Sequence, residues 1–295
     1  MRTAASLHPH FLGNVFSISS PGSKLLSCVT LARASSSSSE LHDQSVGVLP
    51  RFFSESLPSS KGGVARVEGD EFLHMTRVLR LTTDNRVELF NGKGVLIEGC
   101  IRSVERAGVD VVAMEDPRLV PKLGPNWHVV AAFGTLKGGR ADWLLEKCTE
   151  LGASSVTPLL TERSHSITDS RVDRLKRVIH AATKQCQRLH EMDLKPPLQV
   201  AELLPLVFES KLSLLAVAQA VPTLCTLKTS PTESGGLIII GPEGDFTKKE
   251  KNMIIQAGAI AVGLGPLRLR VETAAIALLS TLVLWSDSNK CSKGV

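Results

Sequence analysis

Leu237-Ile238-Ile239-Ile240-Gly241-Pro242-Glu243-Gly244-Asp245-Phe246-Thr247 decides the fold class of this chain. Four consecutive apolar residues, three of them β-branched, predict a short strand buried on both faces, the pattern of a parallel sheet covered by helices. The strand runs into a turn with two glycines and two carboxylates. Thr247 followed by Lys248, Lys249 and Glu250 predicts a helix N-cap and first turn. At the carboxyl end of a parallel strand, such a turn faces the crevice where open α/β sheets bind ligands. The glycines let the backbone come close to a ligand. The same residues also read as an ordinary strand-to-helix connection. They have neither the Gly-Lys-Ser/Thr of a phosphate-binding loop nor the G-x-G-x-x-G spacing of a dinucleotide site, which disfavours a nucleoside triphosphate enzyme.

Twenty residues on, Leu264-Gly265-Pro266-Leu267-Arg268-Leu269-Arg270-Val271-Glu272-Thr273-Ala274 forms a second strand-to-helix junction. One reading has Glu272 and Thr273 capping the last helix and complementing its dipole. It gives no reason for two arginines alternating with leucines. Working back toward the N-terminus, strands are predicted at 129–133, 156–160, 212–217, 237–240 and 260–264. Helices are predicted at 141–151, closed by Gly152, at 171–189, and at 274–285. The alternation places an α/β domain at 125–288, behind a linker at 116–125 punctuated by Pro117, Pro121, Gly124 and Pro125. Before the linker the runs are short and β-like: 51–53, 64–67, 86–90, 95–101 and 109–114. Asn91-Gly92-Lys93-Gly94 is a hairpin signal. Residues 70–79 have helical spacing with Asp70 as N-cap. A compact β-barrel with one docked helix, spanning 46–118, satisfies this pattern.

Composition bounds the rest. Among 295 residues, 43% are hydrophobic and 21% charged, enough to bury a core and too many apolar groups for wholesale disorder. No uncharged apolar run reaches the roughly 18–20 residues of a membrane span. Six dispersed cysteines make neither a disulfide framework nor a zinc spacing, and the histidines have no ligand spacing, so no metal is expected. The formal charge of +5 misleads. The first 39 residues hold three basic residues, no acidic residue and eleven serines; without them 31 basic residues face 29 acidic ones, a net charge of +2. That leader, bounded at residues 1–45, has the composition of an organellar transit peptide, serine-rich as plastid signals are.

The two junctions resemble the C-terminal signature of the RsmE family, the 16S ribosomal RNA uracil-N3 methyltransferases of the SPOUT superfamily. Gly241-Pro242-Glu243-Gly244 is followed by Leu264-Gly265 and by Leu269-Arg270-x-Glu272-Thr273-Ala274. The resemblance extends over roughly residues 50–285. Arg51-Phe52-Phe53 and His74 with Val78-Leu79-Arg80 are similar to that family's PUA-like barrel. Lys137 and Lys147-x-Thr149-Glu150-Leu151-Gly152 are similar to its first α/β unit. Thr161-Glu162-Arg163-Ser164 and Gln185-x-x-Arg188 follow in order. Three positions depart from the family pattern: Asp245 stands where a glycine is usual, Val271 where a threonine is, and Lys184 where an acidic residue is common.

The resemblance implies a small N-terminal PUA-like β-barrel that holds RNA and a SPOUT α/β domain with a C-terminal trefoil knot. It implies S-adenosylmethionine bound by Gly241, Pro242, Glu243, Gly244, Leu264, Gly265, Leu267 and Leu269. Methyl transfer to uracil N3 needs a group to take or polarise the N3 proton and a cation for charge developing on the uracil carbonyls. Glu272 and Arg270 are the catalytic candidates. Glu243 reads chiefly as a loop-shaping residue. Arg51, His74, Arg80, Lys137, Arg163, Gln185 and Arg188 are the RNA-binding candidates, His74 reading equally as a satisfied surface or core residue. The expected partners are small-subunit ribosomal RNA, or the assembled small subunit, and a second copy of the chain. The homodimer follows from 274–285, apolar nearly all round. An RNA-binding assembly factor without methyl transfer, and a methyltransferase acting on transfer RNA, are the competing readings.

Overall fold

The computed structural model describes residues 49–291 except 123, 135, 165–166 and 228–234; the expected transit peptide lies outside the described residues. The N-terminal part contains β1 (Arg51–Phe53), β2 (Val64–Glu68), α1 (Gly69–Leu73), β3 (Arg86–Phe90), β4 (Val95–Val104), β5 (Gly108–Ala113) and β6 (Arg118–Leu119). The strands run in the order β1-β3-β4-β5-β2, all antiparallel except β1 with β3. No ladder joins β1 to β2 among the described strands, so the barrel expected from the sequence is a half-barrel. Period-two alternation sends Val87, Leu89, Ile101, Val109 and Val111 onto Phe52 and Met75. The β3–β4 hairpin is tied by Asn91, whose side-chain oxygen accepts from Lys93 N at 2.9 Å and Val95 N at 3.3 Å.

Two expectations need correction here. The helix foreseen at 70–79 begins at Gly69 after Glu68, with no side-chain cap from Asp70. Beyond Leu73 it widens into π-type turns over His74–Val78, Leu79 N donating to His74 O at 3.0 Å. The linker at 116–125 is not wholly irregular, because Arg118 and Leu119 pair with Leu96 and Val95 as β6.

The second part contains β7 (Asn126–Ala131), α2 (Arg140–Glu150), β8 (Ser155–Leu160), α3 (Asp169–Gln185), β9 (Asp193–Leu194), β10 (Leu198–Gln199), α4 (Val200–Glu209), β11 (Ser213–Ala216), α5 (Thr223–Leu227), β12 (Gly235–Ile240), α6 (Lys248–Gln256), β13 (Ile260–Val262) and α7 (Val271–Cys291). Every strand pair is parallel, in the order β10-β8-β7-β12-β11-β13 with β9 beside β8. Alternate residues of β7 and β12 feed two separate cores. Val129, Ala131, Ile238 and Ile240 meet α2, α3 and α7; Val130, Leu237 and Ile239 meet α4 and α6. This two-sided burial is why these strands read as unbroken apolar runs.

α7 extends beyond the 274–285 foreseen, because Val271 and Glu272 already belong to its first turn. By length and composition it is apolar enough to cross a membrane, contrary to the reading of the sequence. Here Leu278, Leu279 and Leu282 are fully buried against the sheet, each stabilising the fold by about 2 kcal/mol. α3 ends at Gln185 instead of residue 189, since Gln187 takes a φ of +54° and the chain turns.

The segment after that turn fastens the half-barrel to the α/β domain. Glu191 N donates to Gly92 O and Gly94 N donates to Leu189 O, both at 2.7 Å. The Phe53 ring meets His180 edge-on at 4.9 Å, and Lys184 Nζ sits 4.5 Å over it. Phe53, Phe90 and Leu96 form a small core with Leu189. The described residues accordingly belong to one compact unit.

Candidate active site

The residues singled out in the two junctions come together at the carboxyl ends of β11, β12 and β13. There most of them border a cavity of about 720 Å³, within the size range of small-molecule sites; the catalytic candidates Arg270 and Glu272 flank the lining residue Val271 and are not themselves part of the lining. All eight residues expected around the cofactor line it. The residue at position 241 has to be glycine for a packing reason: a Cβ there would stand 2.8 Å from the Phe246 ring. Asp245, at the position where glycine was expected, takes a φ of +64°. An aspartate tolerates this left-handed geometry better than most side chains. Its Oδ1 accepts from Phe246 N at 2.8 Å, and its Oδ2 accepts from Lys251 Nζ at 3.0 Å. Asp245 therefore stiffens the turn and leaves its charge paired.

A buried carboxylate couples this turn to the one after β8. Glu250 Oε2 accepts from Thr247 N at 2.9 Å and from Thr247 Oγ1 at 3.0 Å, while Thr247 Oγ1 accepts from Glu250 N at 3.2 Å, completing a capping box. Its other oxygen accepts from Glu162 N at 2.9 Å. Arg163, next along that turn, donates to Gly244 O and to Asp245 O. Arg268 Nη2 donates to Glu243 O at 2.6 Å. The cavity wall is thus held by hydrogen bonds from three separate strand ends.

Glu272 occupies the first turn of α7 between Val271 and Thr273. Its side chain is 8% exposed, its Oε1 lies 3.7 Å from Arg140 Nη1, and its Oε2 has no partner. A buried acceptor left without a donor is costly, so a site of this kind is completed by something that brings one. Arg270, at the position before the helix, is exposed, and no partner is seen for its guanidinium among the described residues. The catalytic candidates are therefore one buried carboxylate with an acceptor oxygen that lacks a donor and one cation with no partner seen among the described residues. Cys148 in α2 is fully buried, and burial pushes its thiol up to about 12.

The RNA-binding candidates divide. Lys137 is exposed beside a second, smaller cavity of about 470 Å³, bordered also by Asp142, Ser170 and Arg174. Gln185 is exposed at the end of α3, and His74 and Arg80 are exposed on the half-barrel, the His74 ring lying edge-on to Phe52 at 5.8 Å. Arg163 reaches the cavity but is bonded to its wall. Arg188 and Arg51 are not placed as free contacts. Arg188 donates to Thr149 O at 2.8 Å, Ala153 O at 2.6 Å and His190 O at 2.6 Å, and burial lowers its pKa. Arg51 is paired with Glu88 at 2.6 Å across β1 and β3. Both guanidiniums are consumed by the fold.

Arg140 was missed from the sequence. It opens α2, and its Nη1 donates to Glu243 Oε1 at 2.5 Å while lying near Glu272. Its pKa is raised, first by the hydrogen bond to Glu243. The pair closes across the switch point of the sheet, where β7 and β12 adjoin and their following chains diverge. Arg140 and Glu243 are 103 positions apart, and no local pattern signals such a contact.

Two family models match the chain. The one described as an RNA methyltransferase PUA domain covers residues 67–113, and the one described as an RNA methyltransferase domain covers 124–283. A Mycobacterium bovis protein named ribosomal RNA small subunit methyltransferase E is 29% identical over 243 residues, 78% of this chain and 90% of its own. An Aquifex aeolicus protein of the same name is 26% identical over 235 residues, covering 79% and 98%. A methyltransferase structure from Legionella pneumophila, solved with its cofactor SAM, superposes with a TM-score of 0.63 at 26% identity, covering 80% of this chain and 97% of that one. The RNA methyltransferase domain spans more than half of the sequence, and the chain belongs to the RNA methyltransferase family.

Proposed function

We propose that this enzyme transfers the methyl group of S-adenosylmethionine to N3 of a uridine in small-subunit ribosomal RNA, acting as a homodimer inside an organelle, the plastid by the composition of its leader. The observation that carries the reading is the Glu272 carboxylate, buried beside the cavity with Oε2 unpartnered. The names of the curated relatives support the substrate, and the Legionella structure's bound SAM supports the cofactor. The cavity fits that cofactor in size, with backbone amides and carbonyls of the glycine turns to read a base edge and Leu264, Leu267 and Leu269 to pack against it. Bound there, S-adenosylmethionine supplies an electrophilic methyl on a sulfonium.

The chain's own residues then have two tasks. Glu272 Oε2 accepts the proton from uracil N3, so that the N3–H bond breaks as the new N3–carbon bond forms and the carbon–sulfur bond is lost. Arg270 stands by to hold the negative charge that spreads onto the uracil carbonyl oxygens. The exposed face of α7, where Leu284 is 70% exposed, is the surface for a second copy of the chain.

The test is a map of 3-methyluridine in organellar small-subunit ribosomal RNA with and without the protein. One site should lose its methyl when the protein is absent and regain it in vitro on addition of enzyme and S-adenosylmethionine. An unchanged map from a protein that still binds the cofactor would replace this reading by that of an assembly factor. Light scattering of the full 31.7 kDa chain should give twice that mass, and N-terminal sequencing of the organellar protein should begin between residues 35 and 46.

A further inference from the structure

Arg140 is one cation placed between two carboxylates, and the two do not need it equally. Glu243 is 53% exposed and has water as an alternative partner; Glu272 is 8% exposed and has none. A carboxylate taken out of water protonates unless a cation or donors stay close. Yet in this structure the guanidinium favours the exposed partner, at 2.5 Å against 3.7 Å. The side chain reaches both because Gly138 and Gly139, with φ of +65° and +77°, bend the chain into the start of α2, and Arg140 Nε is pinned to Lys137 O at 3.3 Å. The carboxylates of its own helix are engaged elsewhere, Asp142 by Arg174 and both Glu146 and Glu150 by Lys147.

We infer that Arg140 is a positioning residue that acts through Glu272: it holds the Oε1 side of the buried carboxylate, leaving Oε2 to meet the uracil N3 proton, while Glu243 competes for the same guanidinium. The inference rests on the reading of Glu272 as the proton acceptor. It also gives Glu243 a role beyond shaping its turn. Because Glu243 lines the cofactor cavity, an occupant that draws it away from Arg140 releases the guanidinium toward Glu272, so filling the cavity and readying the base become linked events.

Among the described residues, Arg140 is the cation within 4 Å of Glu272, and Glu243 is the carboxylate that shares it. Removing Arg140 leaves Oε1 without the group that holds it. Removing the charge of Glu243 gives Arg140 wholly to Glu272.

The experiment is single-turnover methyl transfer to small-subunit ribosomal particles at saturating cofactor, with cofactor affinity by calorimetry and thermal melting on the same variants. Arg140→Met should lower turnover about 10²-fold or more while cofactor affinity changes little. Arg140→Lys should restore part of the rate, because it restores charge without the planar fork. Glu243→Gln should weaken cofactor binding. If Arg140→Met loses affinity as Glu243→Gln does and keeps its turnover, Arg140 only anchors the cofactor turn and the inference is wrong. Glu272→Gln separates the two levels. A silent Glu272→Gln overturns the base assignment itself; an inactive one beside an Arg140→Met of wild-type turnover overturns the inference alone.

Discussion

Arg188 and Arg270 carry the same guanidinium into opposite circumstances. Arg188 lies in the joint between the half-barrel and the α/β domain, where three backbone carbonyls take its donors and no carboxylate accompanies it. Lys122 and His128 share that neighbourhood, and burial, chiefly, lowers the pKa of both, with nearby cations adding to it. Arg270 stands between the cavity-lining Leu269 and Val271, exposed, with buried Glu272 two residues along the chain and Arg140 placed between Glu272 and Glu243. In the joint cations are spent on carbonyls to hold chain segments together. At the cavity cations are matched to carboxylates and one is left over. An arginine in a motif thus has no fixed meaning; its partners decide whether it contributes to stability or to chemistry.

Breaking the joint should produce the largest effect. Arg188→Met removes three charge-assisted hydrogen bonds and takes the donor from the carbonyls of Ala153 and His190, a loss of about 3–5 kcal/mol. For a domain of this size, melting should fall by roughly 10 °C. Calorimetry checks this, and a melting point within 2 °C of wild type would mean that water replaces the guanidinium and that the comparison fails. Arg270→Lys should do the reverse. Its melting point should hardly move, while single-turnover methyl transfer should fall about 10²-fold, since the point charge lacks the planar fork. Equal damage to stability and turnover in that variant would place Arg270 with Arg188 after all.

The smallest effect is a slope. Because burial lowers the pKa of His128 below its ordinary 6.5, the unfolded chain binds a proton there more readily than the folded one. Its contribution is therefore intact above that value and is lost as pH falls through it. His128→Gln should flatten the decline in melting temperature between pH 7.5 and 5. An unchanged slope would show that acid destabilisation of the joint arises elsewhere.

What could be read from sequence follows the range of the interactions. β3 at residues 86–90 and the Asn91 hairpin are local, and both are found where the pattern puts them. The two-sided strand 237–240 identifies a parallel sheet by itself, because nothing but burial on both faces makes four apolar residues run together. α4 was hidden by Pro205, a residue that ordinarily ends helices but here sits inside one. β9 and β10 are two residues each and exist only because β8 offers an edge. The cavity residues were legible since glycine turns and alternating arginines are uncommon in strand ends. Arg140 was not, because its meaning lies in Glu243 and Glu272, distant in the chain. Glu250 lay between these cases: the Thr247-x-x-Glu250 spacing announces a capping box, but nothing in it announces the bond to Glu162.

The joint has one more consequence. A hairpin from one module and a turn from the other exchange backbone hydrogen bonds and share an aromatic core, so the half-barrel cannot swing on a tether. If the half-barrel grips RNA as the family resemblance implies, the span from grip to cavity is set by the protein, and the enzyme works as a fixed-length gauge. A uridine qualifies when it lies at the right reach from the gripped segment, whatever bases adjoin it. Lengthening the hairpin at Asn91, rather than altering the cavity, would then be the way to move the mark to a different nucleotide.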